Sequence, residues 1–264
     1  MEFGMPTLLE LESLEANVRL AQELGLSFVE INCNVPQFQV STMDPHQLRE
    51  VSRRSGIRFT FHLDEYMSIT DPNPKIAQAY LDSVLDSIAF AKIAGITTMT
   101  MHLIPGVVFT LPHKKVYVYE QYPEYYVSRM RIFRDAVTRA IGDSDVRLNI
   151  ENVNGFADYM RQGLAVLLES PVIGLTYDCG HNHRYHRTDW DFLKAHAQRI
   201  THLHIHDCRA QQDHLPFGDG DIDLKAELAF VEPSCLRAVI EVKTVAALTE
   251  TVRRLPHYQN EKER

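Results

Sequence analysis

At 264 residues, 45% hydrophobic and 23% charged, the chain is long enough for one large α/β domain with a sizeable core. A formal net charge of −8 argues against a sequence-independent grip on nucleic acid or an anionic membrane, since both need a basic face. No apolar run approaches the length of a membrane span, no secretory leader pattern opens the chain, and the four cysteines never pair as CxxC. A cytoplasmic protein with reduced, structural thiols is expected.

Taken in chain order, short β-branched or apolar runs predict strands at 2–5, 27–32, 58–62, 97–102, 147–151, 173–178, 201–206 and 237–242. Helical patterns fill the gaps. In the first, Leu14, Val18, Ala21 and Leu24 share one face, with Ser13 as N-cap and Gly25 as the stop. In the third, Asn73 and Pro74 start the helix, Ile76, Tyr80, Val84 and Ile88 form a stripe, and Gly95 closes it. After the fourth strand an insertion at about 104–126 breaks the rhythm: residues 107–119 alternate like a hairpin about Pro112–Lys115, followed by Tyr122, Tyr125 and Tyr126. Alternation of near-continuous apolar strands with helices predicts a closed (β/α)8 barrel forming a single domain over 1–264, with a doubly wound open sheet as the structural runner-up.

The polar residues gather at one end of the strands. Glu30, His62, His102, Glu151 (followed by Asn152), Asp178, His204 and Glu241 stand at or near seven strand ends, which a barrel brings to one face. A lone histidine at a strand end is more often a hydrogen-bonded structural residue. Histidines and carboxylates converging as a set suit a divalent cation, zinc, manganese or iron before calcium.

These motifs, with "FHL" at 61–63, "MHL" at 101–103, "IEN" at 150–152, "DCGH" at 178–181, "HIHD" at 204–207, "DHLPFGDGDI" at 213–222 and "IEV" at 240–242, resemble the xylose isomerase-like TIM-barrel superfamily. That superfamily includes endonuclease IV and many sugar isomerases and epimerases. The resemblance implies that Glu151, Asp178, His204 and Glu241 hold one metal, with Glu151 and Glu241 as the catalytic pair that moves a proton in the epimerases. It implies that His62 and His102 hold a second metal bridged by Glu151, as in endonuclease IV. It assigns His181 and His214 to a third, whose aspartate partner is replaced here by Gln212. Two zinc or manganese ions are therefore expected, with a third in play.

The extra histidine pair tips the expectation toward hydrolysis of a phosphoester on a small molecule, up to one as bulky as a nucleotide or corrinoid. The alternative is a sugar or sugar-phosphate isomerase or epimerase using one metal and the two glutamates. Third come endonuclease IV-like DNA repair, disfavoured by the acidic charge, and a non-catalytic binding barrel. Expected substrate contacts are Lys114, Lys115 and Tyr117 on the hairpin, acting as a lid, with Asn152 and Lys243. A hairpin that only packs or dimerises is weighed equally, so a homo-oligomer stays open. His202 is read as support for His204, His206 and Asp207 as structural or substrate-facing, and Gly218 and Gly220 as turn glycines of positive φ.

Overall fold

A chain that alternates apolar strands with amphipathic helices has to cover both faces of every strand, and a parallel sheet wrapped in helices does so. The computed structural model describes residues 1–231, 233–235 and 237–258. Its strands are β1 (Glu2–Pro6), β2 (Phe28–Asn32), β3 (Arg58–His62), β4 (Thr98–His102), β5 (Val108–Leu111), β6 (Lys114–Tyr117), β7 (Arg147–Glu151), β8 (Ile173–Asp178), β9 (Ile200–Ile205), β10 (Asp207–Arg209), β11 (Gln212–Leu215) and β12 (Arg237–Ile240). The helices are α1 (Leu14–Glu23), α2 (Pro45–Ser55), α3 (Pro74–Ala94), α4 (Val118–Gln121), α5 (Pro123–Ile141), α6 (Asp158–Leu167), α7 (Cys179–Arg184), α8 (Trp190–Ala195), α9 (Leu224–Val231) and α10 (Val245–Arg254).

Eight parallel strands close in the order β1-β12-β9-β8-β7-β4-β3-β2. Pairing of β1 with both β12 and β2 closes the circle and excludes the open sheet. The predicted last strand runs past the observed one: β12 ends at Ile240, so Glu241 stands just beyond it. The helix signals act as expected at both ends. Ser13 accepts the Ala16 amide at 3.2 Å, Asn73 accepts that of Lys75, and Gly95 ends α3 in the left-handed conformation at φ 79°. The stripe on α3 is turned from its expected place. Ile76 is exposed, and the buried face runs through Ala77, Leu81, Val84 and Ile88.

The insertion folds as the antiparallel pair β5–β6, with Leu111 opposite Lys114. Behind it Tyr119, Tyr126 and Tyr159 pack ring to ring, with centroids 5.0–6.1 Å apart, and Tyr119 donates to the Thr70 carbonyl. No helix among the described residues is long and apolar enough to cross a membrane.

Several contacts span the barrel interior between strands that are not neighbours. Thr100 on β4 and Thr176 on β8 share a hydrogen bond of 2.8 Å, and His202 on β9 reaches Glu30 on β2 at 2.9 Å. The strand axis is thus lined by polar groups toward its C-terminal end. In β9 the pairing with β8 slips between Leu175 and Thr176, which face Ile200 and His202, so Thr201 is an extra residue in the ladder.

Candidate metal centre and active site

His204 is fully buried where the strand ends converge. Its Nδ1 lies 3.3 Å from Glu151 Oε1, 3.1 Å from Glu241 Oε2 and 4.0 Å from Asp178 Oδ2. His204 Nδ1, Glu151 Oε1 and Glu241 Oε2 are all shielded from solvent, and none has a hydrogen-bond partner. Buried polar atoms nearly always have one. Two ligands on one tetrahedral zinc stand about 3.3 Å apart, given bonds of ~2.0–2.1 Å, and the spacing here matches. With Asp178 these donors lie within 4.8 Å of one another. Residue type, spacing and missing partners therefore all fit a divalent cation.

The other nitrogen of His204 faces Glu30, with Nε2 2.9 Å from Oε1. Glu30 Oε2 accepts from Thr60 at 3.0 Å and meets His202 Nε2 at 2.9 Å. At 2.9 Å the Glu30 carboxylate lies closer to His204 Nε2 than two ligands on one metal lie to each other, so Glu30 acts on His204 as a charged neighbour, although the contact lacks hydrogen-bond geometry. A proton on Nε2 leaves the Nδ1 lone pair for the centre. Burial alone would raise the Glu30 carboxyl, but His204 and His202 outweigh it and hold it far below the usual carboxylate range. Sequence reasoning saw Glu30 at its strand end and gave it no role. The available signal was that His202 and His204 share a face, and their inner nitrogens need an acceptor.

Each glutamate has one oxygen facing the centre and the other held by a base. Glu151 Oε2 is 3.2 Å from His62 Nε2 and 3.4 Å from His102 Nε2. Glu241 Oε1 is 2.7 Å from Lys243 Nζ. Burial works against both charges, yet His204 and His102 hold Glu151, and Lys243 and His204 hold Glu241, well below the ordinary value. His62 rises despite its burial because Glu151 faces it. His102 joins none of the donor sets that lie within 4.8 Å of one another. Of the second metal expected on His62, His102 and Glu151, His62 and Glu151 do form a close donor set, completed by His204 in place of His102.

Asp178 also starts α7, where its Oδ1 accepts the His181 amide at 2.6 Å. The first turn of α7 carries His181 back to the centre, with Nδ1 3.3 Å from both Glu151 Oε1 and Asp178 Oδ2. Burial opposes a charge on His181, but Asp178 and Glu151 prevail and push it up to about 10. His206, His181 and His214 form a neighbouring set. There His206 is already spent: its Nε2 meets Asp178 at 3.1 Å and its Nδ1 accepts the His214 amide at 2.8 Å. His214 Nδ1 donates to the Glu241 carbonyl at 2.8 Å, and burial keeps the ring neutral, with a pKa of about 4. Gly180 makes room for His206, because a Cβ there would lie 1.9 Å from the ring.

The remaining predicted residues fall in different places. Asn152 exchanges two hydrogen bonds with the Asp178 backbone, at 2.8 and 2.9 Å, which spends its amide on positioning that strand end. Lys114 and Lys115 are exposed on β6, and Tyr117 is half-buried beside them. Gln212 is exposed on β11. Asp207 accepts the amides of Gly218, Gly220 and Ile222 at 2.9–3.1 Å and organises that loop. Gly218 has the expected positive φ of 84°, whereas Gly220 does not and is instead required by the 2.2 Å approach of Asp207 to a would-be Cβ. Over Glu30, His62 and Glu241 the barrel mouth opens into a cavity of about 560 Å³, walled by the segments that follow β1, β2 and β3.

A family model described as xylose isomerase-like TIM barrel matches residues 18–245. Among solved structures, a D-tagatose 3-epimerase-like protein is similar at 18% identity and a TM-score of 0.79, over 98% of this chain and 97% of that one. An L-ribulose 3-epimerase aligns over 100% of this chain and 99% of its own at 15% identity and a TM-score of 0.72. The IOLI protein, solved with a bound zinc atom, aligns over 98% and 96% at 17% identity and a TM-score of 0.72. At these identities the likeness is one of fold. No curated protein matches by sequence.

Proposed function

The chain belongs to the xylose isomerase-like TIM-barrel family, and from that premise we propose that it is a metal-dependent sugar isomerase or epimerase that moves a proton at carbon between Glu151 and Glu241. The observation that carries this reading is the pair of glutamates on either side of His204, each with one solvent-shielded, unpartnered oxygen facing the centre. Similarity of fold to a D-tagatose 3-epimerase-like protein and an L-ribulose 3-epimerase supports it. A divalent cation held by Glu151, Asp178, His204 and Glu241 would polarise a hydroxy-carbonyl pair and acidify the carbon-bound hydrogen beside it.

The chain's own residues divide the rest of the work. Lys243 keeps Glu241 ionised, so Glu241 starts as the base that takes the proton from carbon. Glu151 approaches from β7, with β8 and β9 between it and β12, and serves the opposite face. Because Glu151 starts as a carboxylate, the proton it delivers to carbon comes first from His62, whose Nε2 lies 3.2 Å from Glu151 Oε2 and which takes a proton back from solvent as Glu241 returns its own. His181 Nδ1, 3.3 Å from both Glu151 Oε1 and Asp178 Oδ2, is placed to meet the substrate oxygen on which negative charge grows.

The expected phosphoester hydrolysis takes second place, because the similar folds bear epimerase names and His102 joins no close donor set, although His62 does, with Glu151 and His204. One observation favours it as a second reading: His62 Nδ1 donates to the Leu63 carbonyl at 2.9 Å, which leaves Nε2 facing a carboxylate that needs either a proton or a cation between them. The test is carbon-bound hydrogen exchange in deuterated water, followed by proton NMR on D-ketohexoses with the manganese-loaded protein. Exchange beside the carbonyl, cut by ~10²–10⁴-fold in Glu241→Gln, is the expected result. Turnover of a phosphodiester by the same protein, with no exchange in any ketohexose, would reverse the assignment.

A further inference from the structure

The cavity at the barrel mouth has two unlike ends. Its floor is polar, formed by Glu30, His62 and Glu241. Its outer wall carries an apolar strip of Leu8, Val35 and Pro36 among Thr7, Asn34 and Glu65, and Leu9 and Tyr66 stand at its rim 83% and 77% exposed. Large apolar side chains left that open beside a polar pocket mark a surface that is covered when a ligand arrives. The wall is also held in place. Asn32 Oδ1 accepts both the Asn34 amide and its side chain, at 2.9 and 2.7 Å, and Asn34 Oδ1 accepts the Glu65 amide at 3.1 Å, which ties the segment after β2 to the segment bearing Tyr66. At about 560 Å³ the space falls in the range of pockets for drug-sized ligands, more than a single monosaccharide fills.

Charge narrows the ligand further. The lining contains one lysine, Lys243, and no arginine. Lys243 Nζ is committed to Glu241 Oε1 at 2.7 Å, and Glu65 adds a third carboxylate to the lining beside Glu30 and Glu241. A phosphorylated sugar would enter without a free cation to meet it. Lys114 and Lys115, the cations expected to meet a phosphate, do not line this cavity.

We propose that the substrate is an unphosphorylated sugar carrying an apolar group at the end remote from the reacting carbon, with that group resting on Tyr66 and Leu9. The proposal rests on the isomerase reading for which end of the sugar faces the glutamates. It is tested by calorimetric binding to the metal-loaded protein of D-fructose, D-tagatose, D-sorbose and D-psicose, each beside its 6-O-benzyl ether and its 6-phosphate. For at least one sugar the benzyl ether binds ~10-fold or more tightly than the parent, and the phosphate no more tightly. Tyr66→Ala combined with Leu9→Ala removes the benzyl gain and leaves parent-sugar affinity unchanged, while Tyr66→Phe retains the gain.

A phosphate that binds more tightly than the parent overturns the proposal. So does a benzyl gain that is absent throughout the panel, or one that survives the double substitution. Deuterium exchange in the parent sugars separates the two claims: exchange without a benzyl preference sinks this inference alone, and a benzyl preference without exchange sinks the isomerase reading alone.

Discussion

Two histidine clusters lie side by side at the barrel mouth, and their nitrogens are differently engaged. Around His204 the facing donors have no hydrogen-bond partners, and the nitrogen turned away from the centre faces the Glu30 carboxylate at 2.9 Å. Around His206 both ring nitrogens are taken, one by the Asp178 carboxylate and one by the His214 amide. The residue types are nearly the same. What separates a cation site from a structural network is whether the lone pairs remain free after the backbone and its neighbours have been satisfied.

The largest effect that would break this contrast is on metal content. His204→Ala is expected to lose the bound metal altogether, whereas His206→Ala keeps one equivalent, both read by inductively coupled plasma mass spectrometry. Equal losses would merge the two clusters into one site. Glu30→Gln leaves His204 in place but weakens its orientation, and metal affinity should fall ~10–100-fold in a competition titration with a chelator. An unchanged affinity would make Glu30 a passive filler.

Gly180→Ala sharpens the comparison from the structural side. The added methyl drives into the His206 ring, and an overpacked position of this kind costs ~1–3 kcal/mol, read as a lowered thermal midpoint. The smallest effect is in protons. His204 is held well above its ordinary value, because Glu151, Glu30 and Glu241 outweigh its burial, so it is charged in the cation-free protein at neutral pH. The stability its ion pairs contribute is fully present below the unfolded value of about 6.5 and is lost as pH rises through the raised one. A cation on Nδ1 has to displace that proton. Zinc binding at about pH 7.5 should release about one proton from His204, visible as a calorimetric heat that varies with the buffer's ionisation enthalpy.

Much of this architecture could be read beforehand because it depends on short-range chemistry. Ser13, Asn73 and Gly95 act within a turn of their own helices, and strand ends bearing Glu151, Asp178, His204 and Glu241 converge in any closed parallel barrel. What escaped depends on which atom faces which across the interior. The use of Glu30 by two histidines, the contact of His206 with Asp178 and the sharing of one Glu151 oxygen by His62 and His102 join residues 28 to 174 positions apart, and no local pattern encodes them. The stripe on α3 failed for a simpler reason. Ile76, Tyr80, Val84 and Ile88 are four apart, and a run of that spacing drifts around a helix of 3.6 residues per turn, so its first member turned toward water.

The most direct test of the account is metal stoichiometry in the wild-type protein and in the double variant His62→Ala with His102→Ala, each loaded with excess zinc and then desalted. One equivalent in both is the predicted result, since the proposed ligands Glu151, Asp178, His204 and Glu241 would hold the cation without either histidine. Two equivalents in the wild type falling to one in the variant would contradict it, and would restore the paired-cation chemistry of phosphoester cleavage.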